Sequence, residues 1–164
     1  MPSAEAIHAR SDAERGLTYL ELIATATILI ILASAIMPLA KVSYTRKKEI
    51  ELRRALRDMR YAIDRYKTAV DQGLIGGTDV KLGSEGYPPD LDTLVKGVSR
   101  VGGIDRKLKF LRRIPIDPFT MKDEWGMRCY QDDPDDTSWC GQNVWDVYSK
   151  APGKGLDGTL YKTW

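Results

Sequence analysis

Histidine is nearly missing from this chain: His8 is the single one in 164 residues. Cysteine is almost as scarce, with Cys129 and Cys140 alone. Two thiols at that spacing lack the partners of a four-ligand zinc centre, which argues against a structural zinc. An excess of charge of one sign is also lacking, since 25 Lys+Arg stand against 23 Asp+Glu for a net +2. Neither this balance nor any stripe of interleaved basic and aromatic residues gives the footprint of a nucleic-acid binder. No Gly-rich phosphate loop and no internal repeat occurs. Acids are plentiful, but no two are paired at an interpretable spacing for carboxylate-assisted hydrolysis. These absences point away from an enzyme.

What the chain does contain is an uncharged run from Leu22 to Ala40, entered through Arg15-Gly16-Leu17-Thr18-Tyr19-Leu20-Glu21. The run is long enough to cross a bilayer, and Glu21 sits at its start. A carboxylate at mid-membrane costs about 2.5–3.5 kcal/mol on insertion scales, so acids in such segments are usually paired and functional. Four readings of the region compete. A secretory signal could be cut at Ala33-Ser34-Ala35, but Glu21 interrupts its apolar core and the run continues past the cut. A plain anchor explains the length and not the acid. A buried core helix is disfavoured by the length of the uncharged run. Cleavage between Gly16 and Leu17 keeps the span in the mature chain, and this reading is carried forward.

Gly16, Leu17, Thr18, Leu20 and Glu21 resemble the processing motif of the type IV pilin-like family, which includes pilins, type II secretion pseudopilins and archaeal relatives. Leu17 in place of Phe and Tyr19 in place of an aliphatic residue are mild departures. Pro38 matches a helix-bending proline carried by many members. The resemblance implies that residues 1–16 are a leader removed by a prepilin peptidase, that Leu17 is N-methylated, and that residues 17–40 form a transmembrane and assembly helix. His8 would leave with the leader, so no His-based triad would survive processing. The mature chain would carry 23 Lys+Arg against 20 Asp+Glu. Its new α-amine would be mostly protonated at neutral pH. The family role of Glu21 is to meet that amine on a neighbouring subunit; an alternative is a pair within one chain, because residues 17 and 21 are i and i+4 on a helix. Pro38 cannot donate to the Ser34 carbonyl, and either gives the helix an axial spring or is a tolerated kink.

Beyond the membrane, Ile50, Leu52, Leu56, Met59, Ile63, Tyr66 and Val70 recur at threes and fours. The periodicity predicts an amphipathic stalk over residues 41–73, a continuous helix from Leu17 to Gln72 and a C-cap at Gly73. Its stripe from Leu52 to Val70 is expected to carry a globular head, residues 74–164. Asp90 is expected to cap a short helix with Leu91, Leu94 and Val95 inward and Gly97 closing it. An apolar patch of Leu108, Phe110, Leu111 and Ile114 leads into Pro115-Ile116-Asp117-Pro118-Phe119, which its prolines hold extended. Short strands are expected near Glu124–Gln131 and Asn143–Ser149. The fold class is α+β: a long N-terminal helix packed on a small head with short helices and a small antiparallel sheet.

Tyr87-Pro88, the Leu-x-x-Leu helix, Leu111-x-x-Ile114-Pro115-x-Asp117-Pro118, Trp125-Gly126, Asp146-Val147-Tyr148-Ser149, Gly155-Leu156-Asp157-Gly158 and Trp164 follow in that order. The series is similar to the head of the major pseudopilin of type II secretion. That branch often holds Ca²⁺ in its C-terminal loop through carboxylates and carbonyls, which would assign Asp146, Ser149 and Asp157 as ligands here. The loop from Ser149 to Gly158 carries one acid and two lysines where the family pattern has several acids. The alternative is a Gly-rich loop pinned by Tyr161 and Trp164. The acidic cluster Asp132-Asp133-Pro134-Asp135-Asp136 lacks the spacing of an EF-hand and reads as a solvated turn. In an exported domain Cys129 and Cys140 read as a disulfide.

The expected protein is therefore a non-enzymatic subunit of a periplasmic pseudopilus that drives protein export. Surface type IV pilin and membrane-anchored periplasmic binding module are the alternatives. Its partners would be copies of itself in a helical filament, the prepilin peptidase, an inner-membrane assembly platform and minor pseudopilins. The expected location is the bacterial inner membrane, single-pass, with the head in the periplasm. Lys41, Arg46, Lys47 and Lys48 after the span outnumber Arg10 and Arg15 before it, which by the positive-inside tendency would keep the head in the cytoplasm. The leader motif and the cysteine pair point the other way.

Overall fold

The computed structural model describes residues 18–76, 80–102, 107–134 and 136–164. The expected processing residues Gly16 and Leu17 lie outside them. Helix α1 covers Tyr19–Asp71, 53 residues with Pro38 inside. The chain divides into two compact units, one ending at Lys41 and one running from Val42 to Trp164.

The described part of the first unit is helix from Tyr19 onward. Its large apolar side chains from Leu22 to Leu39 are exposed, and α1 is long and apolar enough here to cross a membrane. The hydroxyls fold back onto the helix: Thr25 donates to Leu22 O at 3.0 Å, Thr27 to Ile23 O at 2.8 Å and Ser34 to Ile31 O at 2.7 Å. Such back-bonding removes the cost of bare hydroxyls in lipid. The Ser34 hydroxyl is thereby spent on Ile31 and does not replace the donor that Pro38 lacks.

The second unit is built on the rest of α1. Leu52, Leu56, Met59, Ile63 and Tyr66 are buried along one stripe, each 2% exposed or less. Ile50 belongs to the expected periodicity but is 63% exposed, so the stripe begins at Leu52. The helix ends in a Schellman motif: Gly73, at φ 68°, donates to Val70 O at 2.9 Å, and Leu74 donates to Ala69 O at 2.9 Å. Helix α2, Leu91–Lys96, starts at Asp90, whose carboxylate accepts from the Thr93 amide and hydroxyl, both at 2.7 Å. Leu91 and Leu94 face the core, with Val95 half-buried.

Among the described residues, the head adds two antiparallel pairs, giving an α+β fold. Strand β1, Val98–Ser99, pairs with β2, Lys107–Leu108. Strand β3, Gly126–Arg128, pairs with β4, Asp146–Tyr148, in the register Met127 opposite Val147. The β3–β4 pair lies inside the two stretches expected to be strands; β1 and β2 are too short to leave an alternating pattern. Gly126 is required by packing, because a Cβ there would run into the Tyr148 ring.

Candidate functional site

Two features of the chain invite a functional reading. The first is the start of α1. Thr18 is its N-cap, accepting from the Glu21 amide through Oγ1 at 3.3 Å and from the Leu22 amide through its carbonyl at 3.0 Å. Glu21 therefore stands in the first turn, where the unpaired amides and the helix dipole favour a negative charge. Thr18-x-x-Glu21 is the sequence pattern of a capping box. That signal was legible and gives the acid a local role beside any intermolecular one. The described helix starts at Tyr19, two residues after the expected Leu17.

The second feature is the fastening of the C-terminal segment, 146–164, to α1. Glu49, Arg53 and Arg60 lie within about 40° of one another around α1, given about 100° per residue. Glu49 is buried and accepts from the Leu156 amide at 2.7 Å and from the Tyr161 hydroxyl at 3.2 Å. Arg53 donates to Asp157 at 2.8 Å and lies over the Trp164 ring, 4.0 Å from its centroid. Arg60 donates to both oxygens of Asp146 at 2.6 and 3.4 Å, to Val147 O at 3.1 Å and to Trp164 O at 2.9 Å. From the other side, buried Arg128 donates to Asp146 at 3.4 Å, to Asp136 O at 3.0 Å and to Lys162 O at 3.2 Å. Two hydrogen bonds from Thr159, and then Arg53, hold the Asp157 carboxyl below its ordinary range. Burial, and then the Glu49 charge, push the Tyr161 phenol up.

Neither family models, nor curated proteins, nor solved structures give a match to this chain.

The two carboxylates expected to bind calcium are each engaged by donors of this chain. Asp146 faces two guanidiniums, and Asp157 faces Arg53 and Thr159. Ser149 donates instead to Asp117, which is fully buried and also accepts from the Phe119 amide at 2.8 Å. A divalent cation at Asp146 would be repelled by both arginines, so these residues do not fit calcium. Tyr161 is buried and meets Trp164 edge to face at 5.1 Å and Phe119 at 4.3 Å. The aromatic pinning set out as the alternative is what the loop has.

Cys129 and Cys140 form a disulfide. Asp132 lies close to both sulfurs, but sulfurs bonded to each other supply no thiolate, and the Asp132 carboxylate accepts from the Cys129 amide at 2.6 Å. Of the acidic cluster, Asp133 and Asp136 are exposed; Asp135 lies outside the described residues. A groove of about 700 Å³ runs between Arg53, Arg57 and Tyr61 of α1 and Asp157, Thr159 and Trp164. Arg60, Arg128, Glu49 and Asp117 were not singled out as a set from sequence. The spacing Glu49-x₃-Arg53-x₆-Arg60 was readable as one face, but its partners lie 86 to 112 residues away, and several are backbone groups that leave no trace in residue types.

Proposed function

We propose that this chain is a pilin-like assembly subunit, the major pseudopilin of a type II secretion system. It would be cut after Gly16, methylated at Leu17, and polymerised from the inner membrane into a short periplasmic filament that drives export. The observation that carries the reading is α1 itself. One helix presents an uncharged, fully exposed apolar surface over its first part, with a single carboxylate, Glu21, in its first turn. Its later part is the spine of a small head. An anchor needs the apolar length and asks of the acid only a local role in the first turn. An assembly helix uses both, because the Leu17 amine of a neighbour compensates Glu21 in lipid and fixes one register over others. The ordered head motifs and the disulfide, in keeping with an oxidising compartment, support the same reading.

N-terminal sequencing of the processed protein tests it directly. Leu17 at the N-terminus is expected; Ile36 would indicate a secreted protein, and Met1 an uncleaved anchor. Dependence of protein secretion on this subunit, against filaments recovered by shearing cells, separates the pseudopilus from a surface pilus. The groove beside Trp164 favours a second reading, a membrane-anchored binding module. Glu21→Ala separates the two: polymerisation should be lost while membrane insertion is kept or improved. A binding module would be indifferent to the change.

A further inference from the structure

We infer that Arg60 stands in for a divalent cation in this head, so that the C-terminal segment is fastened to α1 without metal. The inference concerns how the head is held and stands or falls apart from polymerisation. The oxygen set around Arg60 is one carboxylate, Asp146, and the backbone oxygens of Val147 and Trp164, all within 3.4 Å. Carboxylate with backbone carbonyl is the ligand chemistry of a hard cation. A guanidinium meets the same oxygens with a planar fork of N–H donors and a charge that persists at every accessible pH.

The carboxylates expected as ligands are already engaged by donors of this chain. Arg128, 7% exposed, takes Asp146 Oδ2 as well as two further carbonyls and lies against the Tyr148 ring at 4.3 Å. Asp157 gives Oδ1 to the Thr159 amide at 2.9 Å and to its hydroxyl at 2.6 Å, and Oδ2 to Arg53 at 2.8 Å. Both carboxylates of the expected ligand set are thus committed to donors, two of them arginines projecting from α1. The arrangement exchanges a diffusible ligand for a covalent part of the chain, so the order of the segment follows the arginines and not the ion supply.

The test uses the full chain in detergent, unassembled, followed by thermal melting and by limited proteolysis within 149–164. EDTA and excess CaCl₂ should each leave both readouts unchanged. Arg60→Met should speed cleavage of the segment about tenfold or more, since charge-assisted hydrogen bonds from one group are lost together, and calcium should not restore protection. Should Arg60→Met fail to fold, Arg53→Gln gives the readout: it touches only the half-exposed Asp157 and the Trp164 ring, and should raise cleavage by a smaller factor with melting unchanged. Loss of protection on chelation, or a saturable rise in melting temperature with calcium, overturns the inference. So do unchanged cleavage rates in the arginine variants.

Discussion

Ser149→Ala removes a single hydroxyl that ties two distant segments together. The hydroxyl donates to Asp117 Oδ2 and accepts from the Ala151 amide at 3.0 Å. Asp117 and Ser149 are both 0% exposed, so water cannot take over either bond. Asp117 keeps the Phe119 amide at 2.8 Å and the Thr120 amide at 3.4 Å, but both reach Oδ1. A hydrogen bond to a charged group is worth about 1.5–3 kcal/mol and a neutral one about 0.5–1.5, so the loss comes to about 3 kcal/mol. For a head of this size each kcal/mol moves the midpoint by about 4 °C, giving a fall of about 10 °C. Near-ultraviolet circular dichroism of the full chain in detergent is the assay. Trp125, which is buried and donates to Pro115 O at 2.9 Å, reports on the same segment. Asp117→Asn and the double variant complete a mutant cycle, in which the two changes together should cost less than their sum. A Ser149→Ala midpoint within about 2 °C of the unmodified chain would refute the argument that this buried pair holds the head.

Replacing Cys129 and Cys140 by Ser opens a loop of sequence separation 11, which chain entropy values at about 2.8 kcal/mol; a guanidinium midpoint that did not fall would contradict this. The Tyr161 phenol has a raised folded value against an ordinary 10.0, so its share of stability is fully present below that ordinary value. It is lost as pH rises through the folded value, and Tyr161→Phe should flatten this alkaline limb in melts run against pH. Asp90→Ala removes the cap of α2 and should cost about 1 kcal/mol by denaturant unfolding, with Asp90→Asn close to neutral.

Most of the frame was legible because it follows from periodicity and local chemistry. The stripe from Leu52 onward, the stop at Gly73 and the cap at Asp90 each depend on neighbours within a few residues, and all three stand where the residues place them. Ile50 fits the same spacing yet faces outward, because periodicity marks a face without saying how far along it the head reaches. The pairing of β1 with β2 escaped notice since two-residue strands have no pattern to read. The partners of the C-terminal site were not legible for a different reason. Asp146, Ser149 and Asp157 are oxygen-bearing residues near a Gly-rich loop, which suits a cation on paper. Their actual partners, Arg60, Asp117 and Arg53, lie 86, 32 and 104 residues away in sequence. Only the folded chain reveals that the positive charge was already supplied.

The distance along the chain between Arg60 and its acceptors also sets an order of events. Strand β3 finds its partner in β4, and the middle of α1 finds its carbonyls in residues 147 and 164, all of them synthesised after the helix they complete. Contacts of such separation form late, because the intervening chain must be gathered before they give any return. Until residues 147–164 arrive, the apolar stripe of α1 has an unfinished cover, because Ala151 and Tyr161 belong to the same core.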